Sequence, residues 1–147
     1  MDYILASMFA LMTTAFAVYY QQLTARNKAL GLSHANLVQA INAQSEALVV
    51  HAQGWPLLYT EAQKGLRKLR AIQTLGLPGI DQQMELYDIL WITVQQETSQ
   101  ELQQRHAYVQ TLRVAYNQNA LRYNDCQRSR LQSGLALLLG HTMAPPC

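Results

Sequence analysis

The sequence predicts an all-α protein: an N-terminal transmembrane helix followed by an elongated antiparallel helical bundle with one long C-terminal helix. Three observations carry this expectation. Leu, Ala and Gln supply 59 of the 147 residues, a composition that favours helices. The stretch from Tyr3 to Ala25 has no charged residue and is largely apolar. Beyond it, apolar residues recur at helical spacing between two Gly/Pro breaks, while 7 Gly and 4 Pro leave too few turns for a sandwich or barrel. A length of 147 residues suits one domain, and 50% hydrophobic against 14% charged residues excludes a disordered chain.

The first element is read as a membrane anchor over residues 1–26. Ile4, Leu5, Met8, Phe9, Leu11, Met12, Phe16 and Val18 lie in a run that, as a helix, rises roughly 27 to 35 Å, the thickness of a bilayer's hydrocarbon core. Tyr3 at one end and Tyr19 with Tyr20 at the other sit where aromatic belts form. A cleaved signal peptide, with Ala15-Phe16-Ala17 as its small-x-small site, and a buried hairpin helix of a bundle are the competing readings. No basic region precedes the run, which favours an uncleaved anchor. Arg26 and Lys28 follow it, whereas only Asp2 precedes it, so the excess of positive charge places the body on the cytoplasmic side.

Residues 27–140 are read as the bundle and 141–147 as a short flexible tail. After a break at Gly31, Ser33 is the expected N-cap of a helix whose stripe is Leu37, Ile41, Leu48, Ala52 and Trp55. Gly54-Trp55-Pro56 ends it, and Pro56 suits the first turn of the next, with Leu58, Ala62, Leu66, Leu69 and Ile72 on one face. Gly76-Leu77-Pro78-Gly79 is the second break, after which Asp81 is the expected cap of a segment without Gly or Pro until Gly134. Met84, Tyr87, Trp91 and Val94 form its apolar stripe, which weakens around Gln95 to Gln104, where a bend or a solvent-facing stretch is expected.

A net charge of +2 is too small to imply nucleic-acid binding, although residues 101 to 147 carry five Lys/Arg against two Asp/Glu. Cys126 and Cys147 make neither a disulfide framework nor a zinc site, and in a cytoplasmic body both stay thiols. His34, His51, His106 and His141 are scattered without metal-ligand spacing, so neither metal nor cofactor is expected. Gly31-Leu32-Ser33-His34 lacks the strand and closing Gly of a nucleophile elbow, and no Gly-rich phosphate loop occurs. Asp81, Glu85 and Asp88 share a helix face, a pattern that more often complements the helix dipole than binds a cation. Lys64, Arg67, Lys68 and Arg70 stand among leucines and could touch an anionic membrane surface or an acidic partner, though a solvated face is the commoner meaning.

The most specific pattern is a ladder. Arg113-Val114-Ala115-Tyr116-Asn117 is followed, seven residues after the first pair, by Tyr123-Asn124, so both Tyr-Asn pairs project from nearly one side of a helix. Tyr buries a ring while keeping a hydroxyl, and Asn offers donors and an acceptor to a neighbouring helix, so Arg113, Tyr116, Asn117, Tyr123 and Asn124 are expected to serve helix packing or a partner interface. The ladder resembles the C-terminal signature of the LemA family of bacterial membrane-anchored helical proteins, R-x-x-Y-N followed by a second Y-N. Residues Tyr123 to Ala136 are similar to a family stretch ending F-P-x-x-L-x-A, with Arg130-Leu131 in place of F-P. Tyr20 to Asn27 resembles the family's exit from the membrane, and Ala35-Asn36-Leu37-Val38 its P-N-L-V.

The resemblance covers about a third of the chain and implies an N-terminal anchor followed by a long antiparallel helical bundle with no established catalytic activity. The expected function is a non-enzymatic, single-pass scaffold or interaction protein of the bacterial inner membrane. It would contact the lipid bilayer and associate with itself or with a larger membrane complex. The alternative is a membrane-bound ligand-sensing helical module that acts through a partner.

Overall fold

The computed structural model describes residues 2–74 and 79–128. Four α-helices account for nearly all of them: α1 Asp2–His51, α2 Pro56–Thr74, α3 Ile80–Val94 and α4 Gln100–Arg128. Short 3-10 turns at Ala52–Gly54 and Gln95–Glu97 follow α1 and α3, and no strand occurs among the described residues. The all-α expectation holds at this level. The remainder of the second break, Gly76 to Pro78, and everything after Arg128, including Arg130-Leu131, the 141–147 tail and Cys147, lie outside the described residues.

The longest helix is the first, not the last. Its 50 residues rise about 75 Å and run through Gly31 without the expected break. A single helical glycine costs only about 1 kcal/mol, and Leu30 and Leu37 on either side are buried in the core. Ser33 is accordingly not a cap: its hydroxyl donates back to the Leu30 carbonyl at 2.9 Å. The boundary drawn after residue 26 likewise falls inside the helix.

α4 lies antiparallel along α1. Gln44 meets Leu102, His34 meets Tyr116 and Arg26 meets Arg122, so the partner's number rises as α1's falls. The contact is a seven-residue repeat: Leu23, Leu30 and Leu37 on α1, and Leu102, Val109, Tyr116 and Tyr123 on α4, all buried. That period keeps one stripe of each helix on its neighbour.

α2 and α3 form a hairpin over the distal part of α1, burying Ala62, Leu69, Ile80, Met84, Tyr87, Leu90 and Val94 against Ile41, Leu48 and Ala52. Gly65 allows the two to approach closely, since a Cβ there would lie 3.3 Å from Leu90 Cδ1. α2 opens at Pro56 as expected. At the start of α3 the cap position belongs to Gly79, which makes no side-chain cap bond. Asp81 stands in the first turn, its carboxylate folded over Gly79, where a Cβ would run into Oδ1. The long C-terminal segment, expected to bend or face solvent around Gln95 to Gln104, is two helices with the break at Gln95–Glu97. Gln95, Gln96 and Glu97 are exposed and have no apolar face to hold a helix, so the chain turns at Gln95–Glu97, extends at Thr98 and reverses into α4.

The molecule therefore has three tiers: a four-helix head, a two-helix stalk of α1 with α4, and an arm, residues 3–18, that no other described helix covers. On the arm Tyr3 is 90% exposed, Phe9 70% and Leu11 71%. The expectation of a transmembrane span is corrected here: among the described residues no helix is long and apolar enough to cross a membrane. Ser7, Thr13, Thr14 and several alanines dilute the run, and Gln21 and Gln22 end it.

Candidate functional site

The ladder lies on α4 at the stalk and its junction with the head. Tyr116 and Tyr123 are buried, while Arg113, Asn117 and Asn124 are half-buried. Tyr116 packs against His34 of α1 at 6.0 Å between ring centroids. The two tyrosines are thus two steps of the α4 repeat that begins at Leu102 and Val109.

Arg113 reaches instead toward α3, where its Nη1 donates to Asp88 Oδ2 at 3.1 Å, and Gln110 Nε2 approaches Asp88 Oδ1 at 3.4 Å. One turn away, His106 lies flat on Trp91, ring centroids 4.0 Å apart and planes 5° from parallel. Its Nδ1 is 2.8 Å from the Tyr87 hydroxyl. With Nδ1 as the acceptor, Tyr87 donates and the imidazole is neutral. Burial pushes the Tyr87 hydroxyl well above its ordinary range, with the Asp88 charge adding to this. Burial also lowers His106 below the usual imidazole value, and Asp88 opposes this only in part. The cluster holds the α3–α4 reversal. Nearby, His51 Nε2 contacts the Glu97 carbonyl in the turn itself, and His51 packs against Trp55. Asp88, read from the sequence as part of an acidic face with Asp81 and Glu85, is here the partner of Arg113. Periodicity singled out Tyr87 and Trp91 as apolar positions but gave no sign of His106, because its partners lie nineteen and fifteen residues away across a chain reversal.

A second polar seam crosses the head. Gln73 Nε2 donates to Asn42 Oδ1 at 2.7 Å and to Gln83 Oε1 at 3.1 Å, joining α2, α1 and α3. Gln44 occupies the next seven-residue step after Leu37 and donates to the Leu102 carbonyl at 3.0 Å. Among the described residues, its Oε1 and the hydroxyl of Ser45 are buried without a hydrogen-bond partner. Beside Gln44, a groove of about 230 Å³ is lined by Ala40, Ala43, Arg105, Tyr108 and Val109.

The basic segment lies on α2. Lys64 pairs with Glu61 and Arg70 with Glu46, each at 2.7 Å, while Arg67 and Lys68 are exposed. Cys126 is a buried free thiol. Among the described residues no group of three or more His, Cys, Asp or Glu gathers to hold a metal ion. No family model, curated protein or solved structure matches the chain.

Proposed function

We propose that this chain is a non-enzymatic helical scaffold, a divergent relative of the LemA proteins, held at the bacterial cytoplasmic membrane by its N-terminal arm and associating with itself or with a larger membrane complex. The observation that carries the reading is the arm. Residues 3–18 are free of charge and carry large apolar side chains over about two thirds of the helix circumference, with Ala6, Ala10, Thr13 and Ala17 on the remainder, beyond the reach of the other described helices. A helix that docks on one protein needs a single apolar stripe, whereas a helix apolar all round needs an apolar surrounding. Its hydroxyls fit that surrounding. Ser7 donates to the Tyr3 carbonyl, Thr13 to Phe9 and Ala10 at 3.0 and 2.9 Å, and Thr14 to Ala10 at 2.8 Å, so these donors are satisfied within the helix.

The base of the arm fits a membrane boundary. Tyr19 and Tyr20 are followed by Arg26 and Lys28, and Arg26 Nη1 donates to the Arg122 carbonyl of α4 at 2.8 Å, which brings a third cation to the same level. This supports a cytoplasmic body. The Lys64–Arg70 surface stands elsewhere: α2 meets α1 at Asn42, about 35 Å along α1 from Tyr19. In this reading those cations face an acidic protein partner rather than the bilayer that holds the arm.

Alkaline carbonate extraction of native membranes tests the anchor. The full chain should remain in the pellet, and a variant carrying Leu11→Lys with Phe16→Lys should move to the supernatant. Release of the unaltered chain would overturn the reading. Crosslinking in membranes should give species larger than the 16.6 kDa monomer. A second reading, a ligand-sensing module, rests on the groove lined by Gln44, Arg105 and Tyr108. A stoichiometric small molecule in native mass spectra, lost in Gln44→Leu, would favour it over the scaffold.

A further inference from the structure

The outer faces of the α2–α3 hairpin carry opposite charge. α2 holds Lys64, Arg67, Lys68 and Arg70 against Glu61 alone, and α3 holds Asp81, Glu85 and Asp88 with no Lys or Arg. Part of this charge is answered within the head, where Lys64 pairs with Glu61, Arg70 with Glu46 and Asp88 with Arg113. Arg67 and Lys68 on α2, and Asp81 and Glu85 on α3, are exposed and form no ion pair among the described residues. Neither 75–78 nor 129–147 contains an Asp or Glu, so the rest of the chain has no carboxylate side chain for those two cations.

The two faces are also complementary in character. Glu85, Ile89 and Ile92 recur at helical spacing on the side of α3 away from buried Tyr87, Leu90 and Val94, and Ile89 is 53% and Ile92 62% exposed. Lys64, Arg67 and Lys68 share the side of α2 away from buried Ala62 and Leu69. Their long stems can cover apolar surface while the charged heads stay at its rim. The basic face thus offers stems to the isoleucines and an ammonium to Glu85.

The faces match in level as well. Within the hairpin, Gly65 lies beside Leu90 and Gln73 beside Gln83. Two copies side by side in one orientation, as arms held in one membrane require, set α2 of one antiparallel to α3 of the other. Arg67 then comes level with Ile89, Lys64 with Ile92, and Lys68 within about 4 Å of the level of Glu85.

We propose that the α2 face of one copy, Lys64, Arg67 and Lys68, packs on the α3 face, Glu85, Ile89 and Ile92, of a second copy. The acidic partner of the α2 cations is then α3 of another chain of the same kind. The contact joins unlike faces, so each copy in a pair keeps one face free, and further copies extend the assembly into a row or ring. Exposed ion pairs alone contribute little, and the two isoleucines supply the apolar area that the contact needs. The inference rests on the self-association proposed above and names its surface.

Disulfide trapping between two full-length variants, co-produced in membranes with a different tag on each, tests it. Cys126→Ala and Cys147→Ser form the background. Arg67→Cys on one chain with Ile89→Cys on the other should give a mixed-tag covalent dimer, at least tenfold above the homodimer that either variant gives alone. Adding Lys68→Glu to the first chain should lower that yield at least fivefold, and adding Glu85→Lys to the second should restore it, which also shows that both variants fold. Predominant homodimers would mean that like faces meet and would overturn the proposal while leaving self-association in place. A yield indifferent to the charge exchange, or no bond in any combination, would overturn it too. Amine-reactive crosslinking of the unaltered chain in the same membranes scores self-association separately: species above the monomer keep that reading, and monomer alone removes it together with this one.

Discussion

Two lengths of a single helix meet opposite fates. In α1, residues 19–51 and 3–18 are both rich in large apolar side chains, yet the first length contributes Leu23, Leu30, Leu37, Ile41 and Leu48 to the core while the second leaves Tyr3, Ile4, Phe9 and Leu11 exposed. The difference lies in arrangement. From Leu23 on, most of the large apolar residues keep to one stripe, Leu32 and Val50 excepted, and Gln39, Asn36 and Glu46 occupy the outside. Below Tyr19 they spread over about two thirds of the circumference, and one neighbouring helix can cover only one side of such a cylinder. Protein packing selects a stripe, whereas lipid accepts a whole circumference.

Truncation should separate the two lengths most sharply. Leu37→Ala, in the buried stripe, should lower unfolding stability by about 2–5 kcal/mol, and Leu11→Ala by less than about 0.5 kcal/mol. Chemical unfolding of both variants in detergent, followed by circular dichroism, measures the contrast. Equal losses would mean that the arm is packed as firmly as the stalk.

Within the packed length, Ser45 is an inconsistency. Its buried hydroxyl has no partner among the described residues, so Ser45→Ala should raise stability by about 1 kcal/mol, helped by the better helix propensity of Ala. A rise in the thermal midpoint is the expected sign, and a fall would show that the hydroxyl has a role in the packed state.

The Asp88–Arg113 pair should matter less. Both side chains are about a third exposed, and such pairs contribute at most about 1 kcal/mol. Arg113→Gln should therefore cost about 0.5 kcal/mol in urea titration, far below the Leu37 variant. If the loss approaches that of Leu37→Ala, the ladder arginine holds more of the fold than its ion pair.

The smallest effect expected is a pH dependence confined to the head. His106 is held below its ordinary value, so its neutral form stabilises the fold fully above about pH 6.5. As pH falls through that value the unfolded chain takes up a proton that the folded chain resists, and stability declines. Thermal midpoints at pH 7.5 and 5 should differ less in His106→Gln than in the unaltered protein. The accessibility of cysteines placed on the arm should not change over that range.

Much of the head was legible in the sequence. Ala62, Leu69, Met84, Tyr87 and Val94 were expected on apolar faces and are buried, and Pro56 opens α2 as its fixed backbone angle suits. Trp55, expected on the stripe, is 40% exposed because the 3-10 turn takes it out of helical phase. The Tyr-Asn ladder was legible as a seven-residue pattern, but which helix its tyrosines would meet was not. Gly31 could not be judged alone, and the Gln95 to Glu97 stretch, where a bend or a solvent-facing run was expected, gave no sign that the chain would reverse there. A glycine breaks a helix only where nothing flanking it is buried, and a chain of good helix formers turns only where no neighbour rewards going straight.

By itself, then, the sequence determined that the chain is helical, where Pro56 starts a helix, and that residues 3–18 are uncharged and largely apolar, since each follows from local propensity and from the spacing of side chains along one helix. Only the tertiary structure decided that α1 runs unbroken for 50 residues, that the chain reverses at Gln95–Glu97, and that His106 finds Tyr87 and Trp91. Those outcomes depend on contacts between residues far apart in sequence. Their energies, a few kcal/mol for each buried side chain, exceed the roughly 1 kcal/mol local preferences that a sequence displays.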